Sequence, residues 1–173
     1  MKDEICALRE KLEKTTEELY MKYDELEQHS RRNSIRIIGV HESEDEDIQK
    51  ATLDVFKKIN KDISISDIDR CHRVGKRVQG RSRQIIVKFV SYQDKDGVYT
   101  QRRKLRAMME NVFVNEDLTH YSSKLFKMAR DLRKSRWIEN TWTKDGHIYI
   151  LEQPDGAVRQ IQCKEDLSRY LRK

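Results

Sequence analysis

The sequence lacks several features that would assign it to a common class of protein. It has three cysteines among 173 residues, widely spaced and odd in number, and no Cys-x-x-Cys pair. A structural zinc site is therefore not expected, and a reducing compartment is the simpler interpretation. It has no glycine-rich phosphate loop and no low-complexity linker. It also shows no signal peptide and no apolar run that could span a bilayer, so only surface attraction to a membrane is considered.

Signs of catalysis are also scarce. The five histidines show no metal-ligand spacing, and neither a metal nor another cofactor is expected. Cys71 and His72 are adjacent, but neighbours on a strand point to opposite faces, which argues against a Cys–His dyad. Glu116 and Asp117 could be paired carboxylates, although Asp117 is explained more simply as the cap of a following helix. The chain is therefore not expected to be an enzyme.

What the sequence has in abundance is charge. Charged residues make up 38% of the chain and apolar residues 36%, and the net charge is +6. The hydrophobic core must be modest, so part of the chain must be solvated or oligomeric. A basic balance suits a phosphate backbone, an anionic lipid surface or an acidic partner, and it does not determine the fold.

The N-terminal segment is predicted to form a coiled coil. Ile5, Leu12, Leu19 and Leu26 recur every seven residues, a spacing that keeps one apolar stripe against a partner helix. Leu8 is the only apolar residue of the second seam, whose other three positions are polar. The alternatives are a homo-oligomeric coil, as a trimer or dimer, and a single amphipathic helix lying on its own domain. The narrow stripe favours the coil.

The hydrophobic pattern divides the chain into three units with an α+β fold. Residues 1–32 are the coiled coil. Residues 33–117 show the order βαββαβ, which is typical of a ferredoxin-like or RNA-recognition-like domain. Residues 118–173 contain a helix, three short strands joined by Asp-Gly and Pro-Asp-Gly turns, and a last helix from about Lys164. They predict a small α/β C-terminal domain with a short antiparallel meander.

Element boundaries follow from apolar periodicity and capping residues. The strand at 34–40 is apolar throughout, as expected for a buried central strand, and Asp47 is predicted to cap the first helix of its domain. The predicted strand regions are 34–40, 63–74, 84–90, 111–114, 137–143, 147–152 and 157–162, and the predicted helices before the last one are 48–59, 94–108 and 118–136.

Three basic clusters make nucleic-acid binding the leading hypothesis. The first, residues 70–88, has seven positive charges, no acidic residue and two glycines, which predict a flexible connection between the second and third strands. The second is QRRKLR at residues 101–106. The third lies on the helix after the fourth strand, where Lys127, Arg130 and Lys134 share one face. Such a face follows phosphates without reading sequence.

The acidic and aromatic residues bear on the form that nucleic-acid binding is expected to take. The acidic segment Glu42–Asp47 is expected either to contact the basic patch of a neighbouring chain or to remain in solvent. The third strand lacks the paired aromatics of an RNA-recognition motif, and both Phe89 and Trp137 are expected in the core. Backbone tracking with occasional stacking is therefore favoured over base-specific readout.

Three segments carry a family resemblance. The coil that runs into RRNSIRIIGVHESE, then RQIIVKF and later NEDLT (Asn115–Thr119), resembles the first open-reading-frame protein of LINE-type retrotransposons. The C-terminal part also resembles the C-terminal domain of the baculovirus few-polyhedra protein and its insect relatives. The resemblance implies a coiled-coil oligomer, often a trimer, with an atypical RNA-recognition domain. It further implies binding of single strands, strand-exchange chaperone activity and packaging of RNA into cytoplasmic ribonucleoprotein particles, with the nucleus as a second location.

The basic clusters and the resemblance give one set of candidate nucleic-acid-binding residues. Most of them are expected to line a groove between the second and third units. They are Arg31, Arg32, Arg73, Arg77, Arg81, Arg83, Arg102, Arg103, Lys104, Lys127 and Arg130. Two functions remain open. One is an oligomeric binder of single-stranded RNA or DNA, and the other is an adaptor whose coil recruits a protein partner.

Overall fold

The protein has an α+β architecture in a computed structural model that describes residues 2–59 and 63–171. A long N-terminal helix, α1 (Lys2–Ser30), is followed by two small units, each built on one antiparallel sheet. Within the described ranges, no helix is long and apolar enough to cross a membrane.

Helix α1 projects from the rest of the molecule. Its 29 residues span about 44 Å at about 1.5 Å per residue. All side chains from residue 3 to residue 23 are exposed, and the heptad residues Leu12, Leu19 and Leu26 are exposed by 67%, 63% and 71%. The helix therefore does not lie on its own domain. Its unpaired apolar stripe is compatible with a coiled coil.

The second unit is a βαββαβ domain, as expected. Its strands are β1 (Ser34–Ile38), β2 (Ile68–Val74), β3 (Gln84–Phe89) and β4 (Phe113–Glu116), and its helices are α2 (Ile48–Ile59), α3 (Tyr92–Gln101) and α4 (Leu105–Met108). The strands pair antiparallel in the order β2–β3–β1–β4, so β1 is central, as its apolar sequence predicted. The predicted helix 94–108 is divided, because a 3₁₀ turn at Arg102–Lys104 separates α3 from α4.

The core of this unit lies between the sheet and its helices. Ile35 and Ile37 alternate inward along β1 and are fully buried, as the two-residue period of a strand requires. Phe89 is 1% exposed, and its ring centroid lies 5.4 Å from that of Phe56 in α2. Phe89 is therefore a core residue, as predicted. Asp47 caps α2, because its Oδ1 accepts a hydrogen bond from the backbone of Lys50 at 3.0 Å.

The third unit has a separate core. It comprises α5 (His120–Lys134), the strands β5 (Asn140–Lys144), β6 (His147–Leu151) and β7 (Val158–Ile161), and α6 (Lys164–Leu171). The sheet order is β5–β6–β7. Asp145 and Gly146 both have positive φ, 53° and 81°, which makes the two-residue turn that their Asp-Gly sequence predicts. The core consists of Leu125, Ala129, Leu132, Ile138, Ile148, Ile150, Ile161 and Leu167.

Three element boundaries differ from expectation beside left-handed residues. Asn111 and Arg136 have φ of 63° and 61°, which no strand or helix accommodates. As a result, β4 begins at Phe113 rather than at Asn111, and β5 begins at Asn140 rather than at residue 137. The predicted helix 118–136 accordingly ends at Lys134.

The expected capping role of Asp117 is wrong. Helix α5 begins at His120 and is capped by Thr119, whose Oγ1 accepts a hydrogen bond from the backbone of Ser122 at 3.1 Å. The Asp117 side chain is 2% exposed and holds arginine side chains instead. A threonine two residues later can cap the helix, whereas the buried Asp117 carboxylate needs cationic partners.

Candidate nucleic-acid interface

The segment Glu116–Thr119 joins β4 to α5 and contacts all three units. Gln28, in the last turn of α1, is 8% exposed. Its Nε2 donates to the carbonyl of Asp117 at 3.1 Å, and its Oε1 accepts from the backbone of Thr119 at 2.9 Å. The buried amide is thus bonded at both ends. These bonds anchor the C-terminal end of α1, although most of the helix projects freely.

Asp117 neutralises two arginines at this joint. Its Oδ1 lies 2.6 Å from Nε of Arg36 and 3.1 Å from Nη1 of Arg31. Burial acts to lower the pKa of Arg31, but the nearby charges of Asp117 and Glu27 outweigh it and raise the pKa above its ordinary value. Arg31 is therefore a structural cation with part of its surface open. Arg32 is exposed and lines a cleft of about 570 Å³ between α1 and the C-terminal sheet.

A buried ion pair locks the second unit to the third. Nζ of Lys95 lies 3.1 Å from Oε1 of Glu116 and 3.3 Å from Oδ1 of Asp145, and the first two side chains are 2% and 4% exposed. Glu116 also accepts from the backbone of Asp145 at 2.7 Å and of Gly146 at 3.1 Å. Tyr92 donates its hydroxyl to Asp145 at 2.7 Å, a bond that raises the pKa of Tyr92 to about 12. The β5–β6 turn is thereby fixed against α3 and β4.

This lock was missed by sequence reasoning, although its residues left a signal. Lys95, Val98 and Tyr99 have the i, i+3, i+4 spacing of a buried helix face, and all three are buried. Glu116 continues the two-residue period of Val114 on the core face of β4. A lysine and a glutamate in apolar positions of neighbouring elements indicate a buried pair, because a buried charge needs a partner.

The acidic segment Glu42–Asp47 folds back onto the first basic cluster of the same chain. Arg83 makes a fork with Glu42, with Nε at 2.9 Å and Nη2 at 2.6 Å from Oε1. Arg73 is 8% exposed, and its Nη2 lies 2.7 Å from Oε2 of Glu46. Both expected alternatives, contact with a neighbouring chain and free solvation, are therefore wrong for this pair of glutamates.

These contacts remove Arg73 and Arg83 from the free basic surface, whereas Arg70, Lys76, Arg77 and Arg81 remain exposed. Hydrogen bonds from the Arg83 side chain and backbone lower the pKa of Glu42 to about 2. Arg77 is half-exposed, with its Nη1 3.5 Å from Glu44, and Arg81 is exposed. Arg73 lies within β2, and every nitrogen of its guanidinium donates a hydrogen bond. The expected flexible connection between the second and third strands therefore begins only after β2.

Arg73 and Arg83 of the first cluster lie at the end of the first sheet away from the joint, whereas Lys88 pairs with Ser34 beside it. The backbone of Asp117 meets Ser34 at the start of β1, whereas Arg73 donates to the carbonyl of Val40, beyond the end of β1 at Ile38. The two places lie at opposite ends of β1, whose length is about 14 Å at about 3.4 Å per residue. The expected groove between the second and third units therefore does not include Arg73 or Arg83.

The second cluster borders the C-terminal sheet. The guanidinium of Arg102 lies 3.7 Å from the ring centroid of Tyr99 and donates to the Tyr99 carbonyl at 2.7 Å. The hydroxyl of Tyr99 lies 3.2 Å from Oγ1 of Thr143 in the edge strand β5. Arg103 and Lys104 are exposed beside Arg102. The basic segment is thus held at the edge of the second sheet.

The third cluster has the geometry expected of a phosphate-binding face. Leu125, Ala129 and Leu132 of α5 are buried at i, i+4 and i+7, and the opposite face is basic. In the sequence of α5 the only acidic residue is Asp131, which lies 3.4 Å from Lys134. The exposed cations of this helix, in the part of the chain described, are Lys124, Lys127, Arg130, Arg133 and Lys134.

Aromatic residues are absent from the half-buried face of the first sheet where β1 and β3 meet. Arg36, Ile86 and Lys88 occupy it, so the stacking chemistry of a typical RNA-recognition motif is missing there, as predicted. Trp137 is 43% exposed, which shows that its expected core position is wrong. The left-handed turn at Arg136 ends the helix before Trp137 and leaves its ring at the surface.

No protein-family model matches the chain, and no curated protein is significantly similar to it. The resemblance to the LINE-type retrotransposon protein therefore rests on the sequence motifs alone. Across residues 2–59 and 63–171, no three His, Cys, Asp or Glu side chains come together as a metal site.

Proposed function

We propose that this protein is a non-enzymatic, oligomeric binder of single-stranded nucleic acid, with RNA as its ligand. It binds without sequence preference, packages the RNA of a retroelement and acts as a strand chaperone. The observation that carries the proposal is the basic face of α5, where Lys127 and Arg130 are exposed and lie opposite the buried face. Arg32, in the cleft beside α1, and Arg102 and Arg103, beside the edge strand β5, add further cations at the border of the third unit.

The charge distribution supports phosphate tracking. Cations on one helical face attract a polyanion and release its counterions, which gives affinity without base discrimination. The paired arginines Arg73 and Arg83 are already neutralised by glutamates of their own chain. Phosphate contacts are therefore assigned to α5 and to the basic segment beside α3.

The coiled coil supplies avidity. Linked domains that bind one strand weakly act at high effective concentration, which raises overall affinity by about 100-fold or more. The exposed heptad residues of α1 support self-association, because a stripe of leucines in water is stabilised by burial against a second helix.

Fluorescence anisotropy with a labelled RNA of about 30 nucleotides tests the proposal. Lys127→Ala/Arg130→Ala is expected to weaken binding about tenfold, because two phosphate contacts are lost. The matched control is Lys57→Ala/Lys58→Ala, which removes two exposed lysines from α2, outside all three clusters. Equal affinities of the two double variants would contradict the assigned face.

The second candidate is an adaptor of the few-polyhedra type, with no essential nucleic-acid ligand. The neutralisation of Arg73 and Arg83 within the chain favours it, because those arginines then serve the fold. The absorbance ratio of the purified protein separates the two functions. Nucleic acid that copurifies raises the 260/280 nm ratio, whereas an adaptor is expected to be free of it.

A further inference from the structure

The second sheet has one covered face and one face that carries aromatic side chains. Ile148 and Ile150 of β6 point into the core formed with α5 and α6. By strand alternation, Trp142 and Tyr149 point to the other side, where both are half-buried. They are direct partners in the β5–β6 register, with ring centroids 6.0 Å apart and 18° between the ring planes.

Polar and basic groups surround this aromatic pair. Lys144 and His147 form the next pair along the same face, and both are exposed. Gln160 of β7 lies beside Tyr149, and its Nε2 is 3.2 Å from Nδ1 of His147. The face therefore offers π surfaces, hydrogen-bonding groups and a fixed positive charge within three adjacent strands.

The basic segment at Arg102 borders the edge of this sheet on its covered side, because the Thr143 side chain alternates with those of Trp142 and Lys144. Tyr99, under the Arg102 guanidinium, contacts Thr143, the residue between Trp142 and Lys144 in the edge strand β5. A nucleic-acid strand whose phosphates follow the Arg102 segment therefore has to cross the edge strand β5 to reach the aromatic pair. Successive nucleotides can then place a phosphate on the basic segment and a base on the rings.

We propose that this outer face, centred on Trp142 and Tyr149, is the platform on which bases of the bound single strand stack. The proposal rests on the proposed function and adds to it the place where the bases lie. Every base has a π face, so such a platform binds without sequence preference. An RNA-recognition motif stacks bases on aromatic rings of its sheet. The first sheet of this protein has Arg36, Ile86 and Lys88 there instead, so the platform on the second sheet would supply the stacking that the first sheet lacks.

Tryptophan fluorescence tests the platform directly. The protein has two tryptophans, so Trp137→Phe leaves Trp142 as the only indole. Oligouridylate is titrated into this variant, and binding is followed in parallel by anisotropy of a labelled strand. The Trp142 emission is expected to be quenched with the same midpoint as the anisotropy change, because a stacked base contacts the indole. The matched control, Trp142→Phe, reports on Trp137 alone, and the platform predicts that its emission is quenched less than that of Trp142.

An abasic strand with the same number of phosphates separates stacking from phosphate binding. The platform predicts that the abasic strand binds about 5- to 150-fold more weakly than oligouridylate and leaves Trp142 unquenched. Trp142→Leu keeps an apolar side chain on the strand, and it is expected to lose affinity for oligouridylate but not for the abasic strand.

The outcomes distinguish this inference from the function on which it rests. If oligouridylate binds while Trp142 remains unquenched, or if the abasic strand binds equally well, the platform is wrong and the phosphate-binding function stands. If neither strand binds, both proposals are wrong, and the aromatic face belongs to a protein contact of the adaptor. The fluorescence result is decisive even if Trp142→Leu fails to fold.

Discussion

The side chain of Gln28 packs directly onto the backbone of Gly146. A Cβ placed on this glycine would lie 2.4 Å from Cγ and 2.6 Å from Cδ of Gln28. Gly146 has φ of 81°, so the turn needs glycine for its own conformation as well as for the approach of α1. A side chain at this position would therefore displace Gln28, whose bonds to Asp117 and Thr119 anchor the end of α1.

Gly146→Ala is expected to lower the free energy of unfolding by about 2–3 kcal/mol. About 1–2 kcal/mol comes from the left-handed backbone, and the rest comes from displacement of Gln28. Gly80→Ala is the matched control, because Gly80 has φ of 75° and a Cβ placed on it would meet no described atom within 4 Å. Urea unfolding measures both variants. Equal losses of unfolding free energy in the two variants would show that displacement of Gln28 adds nothing to the cost of Gly146→Ala.

Lys95→Met is expected to cost about 3–5 kcal/mol, because Glu116 is left as an unpaired buried charge. Lys95→Met/Glu116→Gln is expected to recover part of the loss, since the second change removes that charge. Lys57→Met, which breaks an exposed pair with Asp54, is expected to cost less than about 1 kcal/mol. Denaturant unfolding compares the three variants. A Lys95→Met protein as stable as the wild type would refute the lock.

Glu42 is expected to make stability depend on pH in the acid range. Its folded pKa is about 2, below the ordinary value of 4.5, because Arg83 holds the ionised form. A carboxyl with a lowered pKa stabilises the fold above its unfolded pKa, and that contribution is lost as the pH falls through the folded pKa. The stability difference between wild type and Glu42→Gln is therefore expected to be full above pH 4.5 and to decline toward pH 2.

Urea unfolding at several pH values measures this difference. Glu44→Gln is the control, because the Glu44 side chain is 84% exposed and its contact with Arg77 is a solvated one. It is expected to change stability little at each pH. A difference between wild type and Glu42→Gln that stayed constant from about pH 6 to about pH 3 would show that the Arg83 fork is not formed.

Leu19→Lys is expected to dissociate the proposed oligomer, because it places a charge in the centre of the heptad stripe. Glu17→Lys introduces the same side chain on the opposite face of α1 and is expected to leave assembly intact. Sedimentation equilibrium gives the mass relative to the 20.8 kDa chain. A wild-type protein that sediments as a monomer would remove the avidity argument.

Much of the fold was predictable from local signals. The β-branched segment around Ile35 and Ile37, the cap Asp47 and the Asp145-Gly146 turn each act within a few residues of their own position. Each of these signals agreed with the element that the structure contains. The order βαββαβ and the three-stranded meander follow from such signals. Most boundaries are displaced by no more than three residues, but β2 begins five residues later than the predicted region 63–74, because a 3₁₀ turn occupies Ile65–Asp67.

The candidate site was less predictable, because its contacts join residues far apart in sequence. Asp117 meets Arg31 across 86 residues, and Glu42 meets Arg83 across 41. A run of arginines with no acidic neighbour in the sequence predicts unpaired cations, yet the fold brings distant glutamates into contact with two of them. The basic face of α5 was predictable because one helix presents Lys127 and Arg130 on the side opposite its buried leucines.

The salt dependence of RNA binding tests the central claim most directly. If α5 and the Arg102 segment hold four or more phosphates, the logarithm of the association constant is expected to fall against the logarithm of salt concentration with a slope of about −3 or steeper, at about −0.7 per phosphate. Lys127→Ala/Arg130→Ala is expected to make the slope shallower by about 1.4, for two phosphates at the same increment. A flat salt response, or a slope that the double variant leaves unchanged, would contradict phosphate tracking by this face.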